Sequence, residues 1–564
     1  MPTIPAPGTI PCCGIDPAGI LAPPRACARR RIVTPASASH PPGSEPDAVR
    51  DALARPETYS HRPKIVEVRE THISWVFLAG ELAYKLKKPL VLDFLDYGTA
   101  ARRRELCAAE VRLNRRLAPD LYLGVRGVAL VGKRVELIDE NDPRAVDFVV
   151  EMRRYDEDRT LAARLDRGEV HRRDVVETGR VLARFHEDAR RVAPGGAPVL
   201  AAERRFERNL HELLGDVDQR GEIERVQGLE RFAHAFVTAH AHTFVTRSCG
   251  RHIREGHGDL RAEHVLLGDR VQIVDCVEFD SGLRELDVAD DLAFLVFDLA
   301  ARGADRLGEV LVDAYREAGG DPGPDSLIAF YAAYRALVRA KVALMRGAQL
   351  ADASAEHGRR SAHARDLISV AERFAWRARQ PLTIVVCGVP ASGKSHLAQA
   401  LAELSGLPHL SSDVIRKQFA GLGPTERAPG NSYTAGWNAR TYAELGRRAA
   451  DALTRNGGAI VDATFRHRGD RCEFTAALCP RSPVVFIECQ APRRILAERA
   501  ARRERDPRHV SDASRAIVVR EHSRWEPLDE VPANGHLTVR TDRPVEQIIA
   551  DVLALLDGRL AELA

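Results

Sequence analysis

The sequence predicts two folded units of different class: an α+β unit with a small sheet lobe and a larger helical lobe, then an α/β unit with a parallel sheet. Three observations predict this. From Ile65 the short alternating runs of "IVEVRETHISWVFLAGELAYKLKKPL" read as strands, with "AGE" as a hairpin connection. Long amphipathic stretches then continue to about Phe374, interrupted by a strand-rich interlude near 265–280. After "RARQP" the runs "LTIVVCGV", "GAIVDATF" and "SPVVFIECQ" are short, apolar and β-branched, the mark of buried parallel strands.

A chain of 564 residues exceeds one hydrophobic core, so division into units is expected. The boundaries fall at 51–375 for the first unit and 376–564 for the second. Residues 1–50, rich in proline, alanine and serine, bury too little to offset their ordering entropy and are expected to form a disordered leader. A net charge of +3 and 5% aromatic residues argue against a nucleic-acid binder. The ten cysteines are scattered without a CxxC pair, which fits reduced thiols in a cytoplasm. No apolar run is long enough to span a bilayer. A cytoplasmic protein with no membrane contact is expected; its oligomeric state is not encoded in any motif.

In "LAYKLKK" the two-residue strand period puts Leu82, Tyr84 and Leu86 on one face and Ala83, Lys85 and Lys87 on the other. In the helix that follows, Glu110 shares the face of Leu106, Leu113 and Leu117. A carboxylate turned to the core needs a partner, and Lys85 is the natural one.

The stretch "HGDLRAEHVLL" places Asp259 five residues before His264 and sixteen before Asp275. That spacing resembles the catalytic loop of aminoglycoside and choline phosphotransferases, which have the protein-kinase fold. The resemblance spans about residues 60–350. It implies that Asp259 is the catalytic base, that Asp275 is a metal ligand, and that Lys85 braced by Glu110 binds ATP phosphates. "VEMRRYDEDRTL" would join the lobes, and Asp287 and Asp291 of "LDVADDLAFL" would cap and brace the loop. His264 departs from the family's asparagine. It either ligates Mg²⁺ more weakly than an amide oxygen, hydrogen-bonds Asp259 or a phosphate, or is a buried structural histidine. A first half without catalysis therefore stays open.

"GVPASGKS" matches the phosphate loop GxxxxGK[ST] between a strand and a helix. Gly388, Ala391, Ser392 and Gly393 would turn backbone N–H groups onto phosphates. Lys394 would neutralise them, and Ser395 would ligate Mg²⁺. Asp462, ending "AIVDATF", is placed to hold the same ion through water, or else caps a strand end. Asp413 and Arg416 in "HLSSDVIRK" lie where open α/β sheets bind ligands, Asp413 to orient an acceptor hydroxyl and Arg416 to hold it. Arg499, Arg502 and Arg503 share one helix face and could close over a transferring phosphoryl group; a solvated charged face is the alternative.

From about 382 to 560 these residues resemble small P-loop kinases of the gluconate-kinase, zeta-toxin and chloramphenicol-phosphotransferase kind. That resemblance implies transfer of the γ-phosphoryl group of ATP, with Mg²⁺, to a hydroxyl of a small molecule. The domain order looks like that of a bacterial group of fused aminoglycoside-phosphotransferase-like and ATP-binding proteins. A bifunctional enzyme is expected. The alternative is a nucleotide-regulated binding protein with a pseudokinase first half and an active second half.

Overall fold

Alternation of apolar side chains builds the first sheet. Strands β1 (Val66–Glu70), β2 (Ser74–Ala79), β3 (Leu82–Lys87), β4 (Tyr122–Val131), β5 (Arg134–Asp139) and β6 (Ala145–Arg153) form an antiparallel sheet in the order β1-β2-β3-β6-β4-β5. Ala79 pairs with Leu82, so Gly80 and Glu81 make the hairpin turn, with Gly80 at φ 67°. One face, with Phe77, Tyr84 and Leu86, packs under helix α1 (Glu45–Leu53) through Val49 and Leu53. The other, with Ala83 and Val150, packs on α2 (Ala100–Asn114) through Cys107 and Val111. Thr99 caps α2 by accepting from Arg102 N at 3.2 Å. The helix stops short of Leu117, which the sequence pattern placed on it: Pro119 disfavours helical backbone at Ala118, and the chain leaves the helix before it.

The computed structural model describes residues 45–564 except 93–94, 133, 194–197, 217–219, 349–354, 424–425, 427–428, 430–431, 433, 479–483, 505–524, 533–534, 559 and 561–564. Of the expected leader, residues 1–44 lie outside the described residues, but 45–50 are not disordered: they open α1, whose Val49 is buried against the sheet.

The helical lobe contains α3 (Arg172–Asp188), α4 (Pro198–Asp216), α5 (Arg220–Ala239), α6 (Val288–Ala301), α7 (Asp325–Ala348) and α8 (Ala355–Ala378). Its core includes a stack of Phe236 on Phe330, 4.6 Å between centroids. A two-stranded antiparallel ribbon, β7 (Val265–Leu266) with β8 (Gln272–Ile273), stands between the loop at 257–264 and Asp275.

In the second unit β9 (Leu382–Cys387), β10 (His409–Ser411), β11 (Gly458–Asp462), β12 (Val484–Gln490) and β13 (His536–Arg540) run parallel in the order β10-β11-β9-β12-β13. Every residue of β9 and β11 is buried, which explains their uninterrupted apolar runs. Its helices are α9 (Lys394–Ser405), α10 (Ser412–Phe419), α11 (Ala435–Asn456), α12 (Arg493–Glu504) and α13 (Val545–Gly558). Leu397 and Leu401 of α9 and Val552 of α13 pack on one face of the sheet; Tyr442 and Leu445 of α11 pack on the other. The architecture is the predicted one, an α+β two-lobe kinase-like unit followed by an α/β phosphate-loop unit.

Helix α8 belongs to both units: Leu367 and Phe374 join the core of the helical lobe, and Trp376 joins the core of the second unit. Just beyond it the buried Arg379 bonds Asp557 of α13 (Nε to Oδ1, 2.8 Å) and lies 4.5 Å over the ring of Phe232 in α5. Among the described residues no helix is long and apolar enough to cross a membrane.

Candidate active sites

The first site forms where β3, α2, the loop at 257–264 and the segment after β8 meet. Lys85 and Lys87 point to the α2 face, as the strand period requires, and Glu110 meets both. Lys85 Nζ lies 2.9 Å from Glu110 Oε1 and 2.8 Å from Asp275 Oδ1. Lys87 Nζ, with a fully buried side chain, bonds Glu110 Oε2 at 2.5 Å and also Glu278. Burial alone would push Lys85 toward neutrality, but Asp275 and Glu110 outweigh it and hold its pKa well above the ordinary value. Burial would likewise raise Glu110, yet Lys85 and Lys87 keep it below the usual carboxylate range. Asp275, half open to solvent, is held down chiefly by the charge of Lys85. It adopts φ 66°, a left-handed conformation rare outside glycine, and its N–H donates to Tyr122 Oη at 3.2 Å.

The loop carrying Asp259 is braced from beneath. Asp291 accepts from the N–H groups of His257 (2.6 Å) and Gly258 (2.9 Å), with His186 Nε2 at 3.1 Å from its Oδ2. Gly258, at φ 84°, comes so close to the next turn that a Cβ there would sit 2.9 Å from Leu283 O. Asp287 caps α6 by accepting from Ala289 N at 2.8 Å and takes a two-pronged bond from Arg247. These are the capping and bracing roles the sequence suggested.

Asp259 itself is clamped by a residue to which sequence reasoning gave no role. Arg261 donates Nε to Oδ1 (3.0 Å) and Nη2 to Oδ2 (2.9 Å). Burial would raise the Asp259 pKa, but Arg261 overcomes it and brings the group to about 2. Two further partners were missed, Lys87 and Glu278. The signal for Lys87 was present: it lies on the face of Lys85, and two inward lysines need more than one carboxylate. His264 is buried, its Nδ1 2.8 Å from Asp259 O and its Nε2 3.7 Å from Asp275 Oδ2.

In the second site the phosphate loop follows β9. Gly388 takes φ 143°, Ala391 68° and Gly393 92°. A Cβ on Gly388 would lie 2.6 Å from Cys489 O, so the tight winding requires glycine there. The carbonyl of Ser392 accepts from the hydroxyl of Thr541 and, at 3.3 Å, from Arg499 Nη1. Lys394 and Ser395 open α9, with Lys394 buried and Ser395 half-buried. Asp462 pairs in register with Val386, two residues before the loop begins. Its Oδ1 is buried and has no hydrogen-bond partner among the described residues.

Asp413 and Arg416 sit in the short helix after β10, Arg416 buried and donating Nη1 to Ser432 O (2.9 Å) and Asn438 Oδ1 (2.7 Å). Of the three arginines expected over the phosphates, Arg499 reaches the loop and Arg502 is exposed. The side chain of Arg503 lies outside the described residues. Thr541, which pins Ser392, carried no signal in the sequence.

Both sites fit the groups their patterns imply. The unpartnered Asp462 oxygen and the glycine cradle suit a cation and a polyphosphate, and the carboxylate of Asp275 beside a charged lysine suits the same pair.

The family described as AAA domain matches residues 383–528. Over 446 residues the chain is 34% identical to uncharacterized protein Rv2004c of Mycobacterium tuberculosis and, equally, to Mb2027c of Mycobacterium bovis, covering 78% of this chain and 86% of each relative. Among solved structures, a gluconokinase from Sinorhizobium meliloti matches at 26% identity, 33% of this chain and 95% of its own, TM-score 0.25. A choline/ethanolamine kinase family protein from Mesorhizobium loti matches at 16% identity, 58% of this chain and 98% of its own, TM-score 0.35. On the identity and coverage of its mycobacterial relatives, the chain belongs to the family of Rv2004c.

Proposed function

We propose that the protein is a bifunctional ATP-dependent phosphotransferase, each half moving the γ-phosphoryl group of ATP to a hydroxyl of a small molecule. The observation that carries this reading is the junction of Lys85 with Asp275 and Glu110, with His264 standing between Asp275 and Asp259. A charged lysine and two carboxylates at this junction support roles in binding phosphate, holding a cation and accepting a proton, and the glycine cradle with the unpartnered Asp462 oxygen supports a second phosphate site.

In the first half Lys85 binds phosphate oxygens and Glu110 fixes its position. Asp259 accepts or orients the acceptor's proton through lone pairs that Arg261 leaves free. In the second half the loop N–H groups and Lys394 bind phosphates, Asp413 orients the acceptor and Arg416 holds it. Arg499 adds charge beside the loop; Arg502 and Arg503, on the same helix, join it on closure. Asp275 with His264 would hold a divalent cation, and Ser395 with Asp462 would hold Mg²⁺; such ions supply neutralisation of charge on the transferring phosphoryl group. A cytoplasmic site, with ample ATP and reduced thiols, suits this chemistry.

The clamp of Arg261 on both Asp259 oxygens favours a second reading, in which the first half binds ligand without catalysis and the second half acts as its nucleotide switch. The test is an ATP-consumption screen of the purified protein against sugars, polyols, aminoglycosides and nucleotide sugars, repeated with Asp259→Ala and Lys394→Ala. Two activities lost independently support two enzymes. A single activity lost with Lys394→Ala alone supports the switch.

A further inference from the structure

His264 occupies the loop position where the pattern carries asparagine, and its ring is fixed in one tautomer. Nδ1 lies 2.8 Å from Asp259 O. A carbonyl oxygen accepts, so Nδ1 carries the proton. Nε2 lies 3.2 Å from Arg261 Nη2, which is a donor, so Nε2 presents its lone pair. That nitrogen stands 3.7 Å from Asp275 Oδ2 and 3.6 Å from Glu263 Oε1. Two donor atoms this far apart can share a divalent ion at bond lengths of about 2.1 Å. The oxygens of Asp275 are divided: Lys85 bonds Oδ1, and His264 faces Oδ2. A ring N–H given to a backbone carbonyl is also how metal-binding histidines are oriented.

We propose that His264 Nε2 and Asp275 Oδ2 together hold the cation of the first pocket, and that this nitrogen–oxygen pair selects a first-row transition cation such as Mn²⁺ over Mg²⁺. The inference rests on reading the first half as a nucleotide pocket. Asparagine offers an amide oxygen, a hard donor that suits Mg²⁺; imidazole at the same place offers a softer nitrogen, for which Mg²⁺ has little affinity. Arg261 shares the Nε2 lone pair in the cation-free loop and gives it up when the ion binds. The same movement frees a carboxylate oxygen of Asp259. Nucleotide phosphates and water complete the coordination shell.

The test is Mn²⁺ binding to the full-length protein with a non-hydrolysable ATP analogue, read by electron paramagnetic resonance. Free-ion signal gives affinity, and pulsed spectra report imidazole nitrogen coupled to the bound ion. Wild type should show that coupling, and His264→Asn should lose it. The subtraction removes any contribution of His409, 3.9 Å from Asp462 in the other pocket. The Mn²⁺ over Mg²⁺ preference should fall on the order of tenfold in His264→Asn. Identical spectra and preference in both proteins, with the first pocket still binding Mn²⁺, would overturn the inference and leave the nucleotide pocket standing. If Asp275→Ala does not change Mn²⁺ stoichiometry, the pocket itself is refuted and the inference with it.

Discussion

Lys85 and Asp275, 190 residues apart in the chain, meet at 2.8 Å where the sheet lobe closes on the helical lobe. Lys85 is also held by Glu110, so its ammonium is positioned before any phosphate arrives. Replacing it by methionine keeps the volume and removes the charge. The expected result is a loss of roughly 10²-fold in kcat/KM for the first activity, with the second activity unchanged. Steady-state kinetics of both reactions on Lys85→Met check this.

Lys87 has a different task. Its side chain is fully buried between Glu110 and Glu278, and it touches no open surface. Lys87→Met leaves Glu278 and one oxygen of Glu110 buried without a counter-charge, which should cost about 3–5 kcal/mol. The sign with pH is fixed by both partners. The raised Lys87 pKa gives stability that is complete below the unfolded value near 10.4 and fades as pH rises through the folded one. The lowered Glu110 pKa gives stability that is present above about 4.3 and fades as pH falls. The gap between wild type and variant in denaturant unfolding should be flat from about pH 5 to 10 and narrow outside it.

Arg261 sets the ionisation of Asp259. With its pKa near 2, the carboxylate stays charged through the neutral range, and the first activity should show no acidic limb from this group above about pH 4. Arg261→Ala removes the largest opposing charge and leaves only His264 and Arg339 acting against burial, so the limb should move up. The pH profile of kcat/KM reads this directly. An unmoved profile would mean that Arg261 does not govern the base.

Much of this arrangement was legible locally. Strand alternation turned Lys85 inward, helical spacing turned Glu110 toward it, and the strand–loop–helix context of Gly388 to Ser395 fixed the phosphate loop. What escaped depended on distance along the chain. Lys87 finds Glu278 across 191 residues, and Thr541 finds Ser392 across 149, separations that periodicity cannot reach. Arg261 carried no signal of its own, because an arginine two residues after Asp259 could as well have faced solvent. Common helical spacing grouped Arg499 with Arg502 and Arg503, yet of the first two it is Arg499 that touches the loop, while Arg502 is exposed.

The two halves are joined through Arg379, which bonds Asp557 and covers Phe232. Asp557→Ala strands a buried guanidinium and should cost about 3–5 kcal/mol. Calorimetry should then show the second unit unfolding at lower temperature than the first. Unchanged thermal unfolding would place the coupling elsewhere.

The most direct measurement of the central claim is the number of nucleotides bound per chain, by calorimetric titration of a non-hydrolysable ATP analogue with divalent cation present. The account predicts two for the wild type, with Asp275→Ala and Lys394→Ala each retaining one, the other's. A single nucleotide in the wild type, or one substitution that empties both pockets, would contradict it.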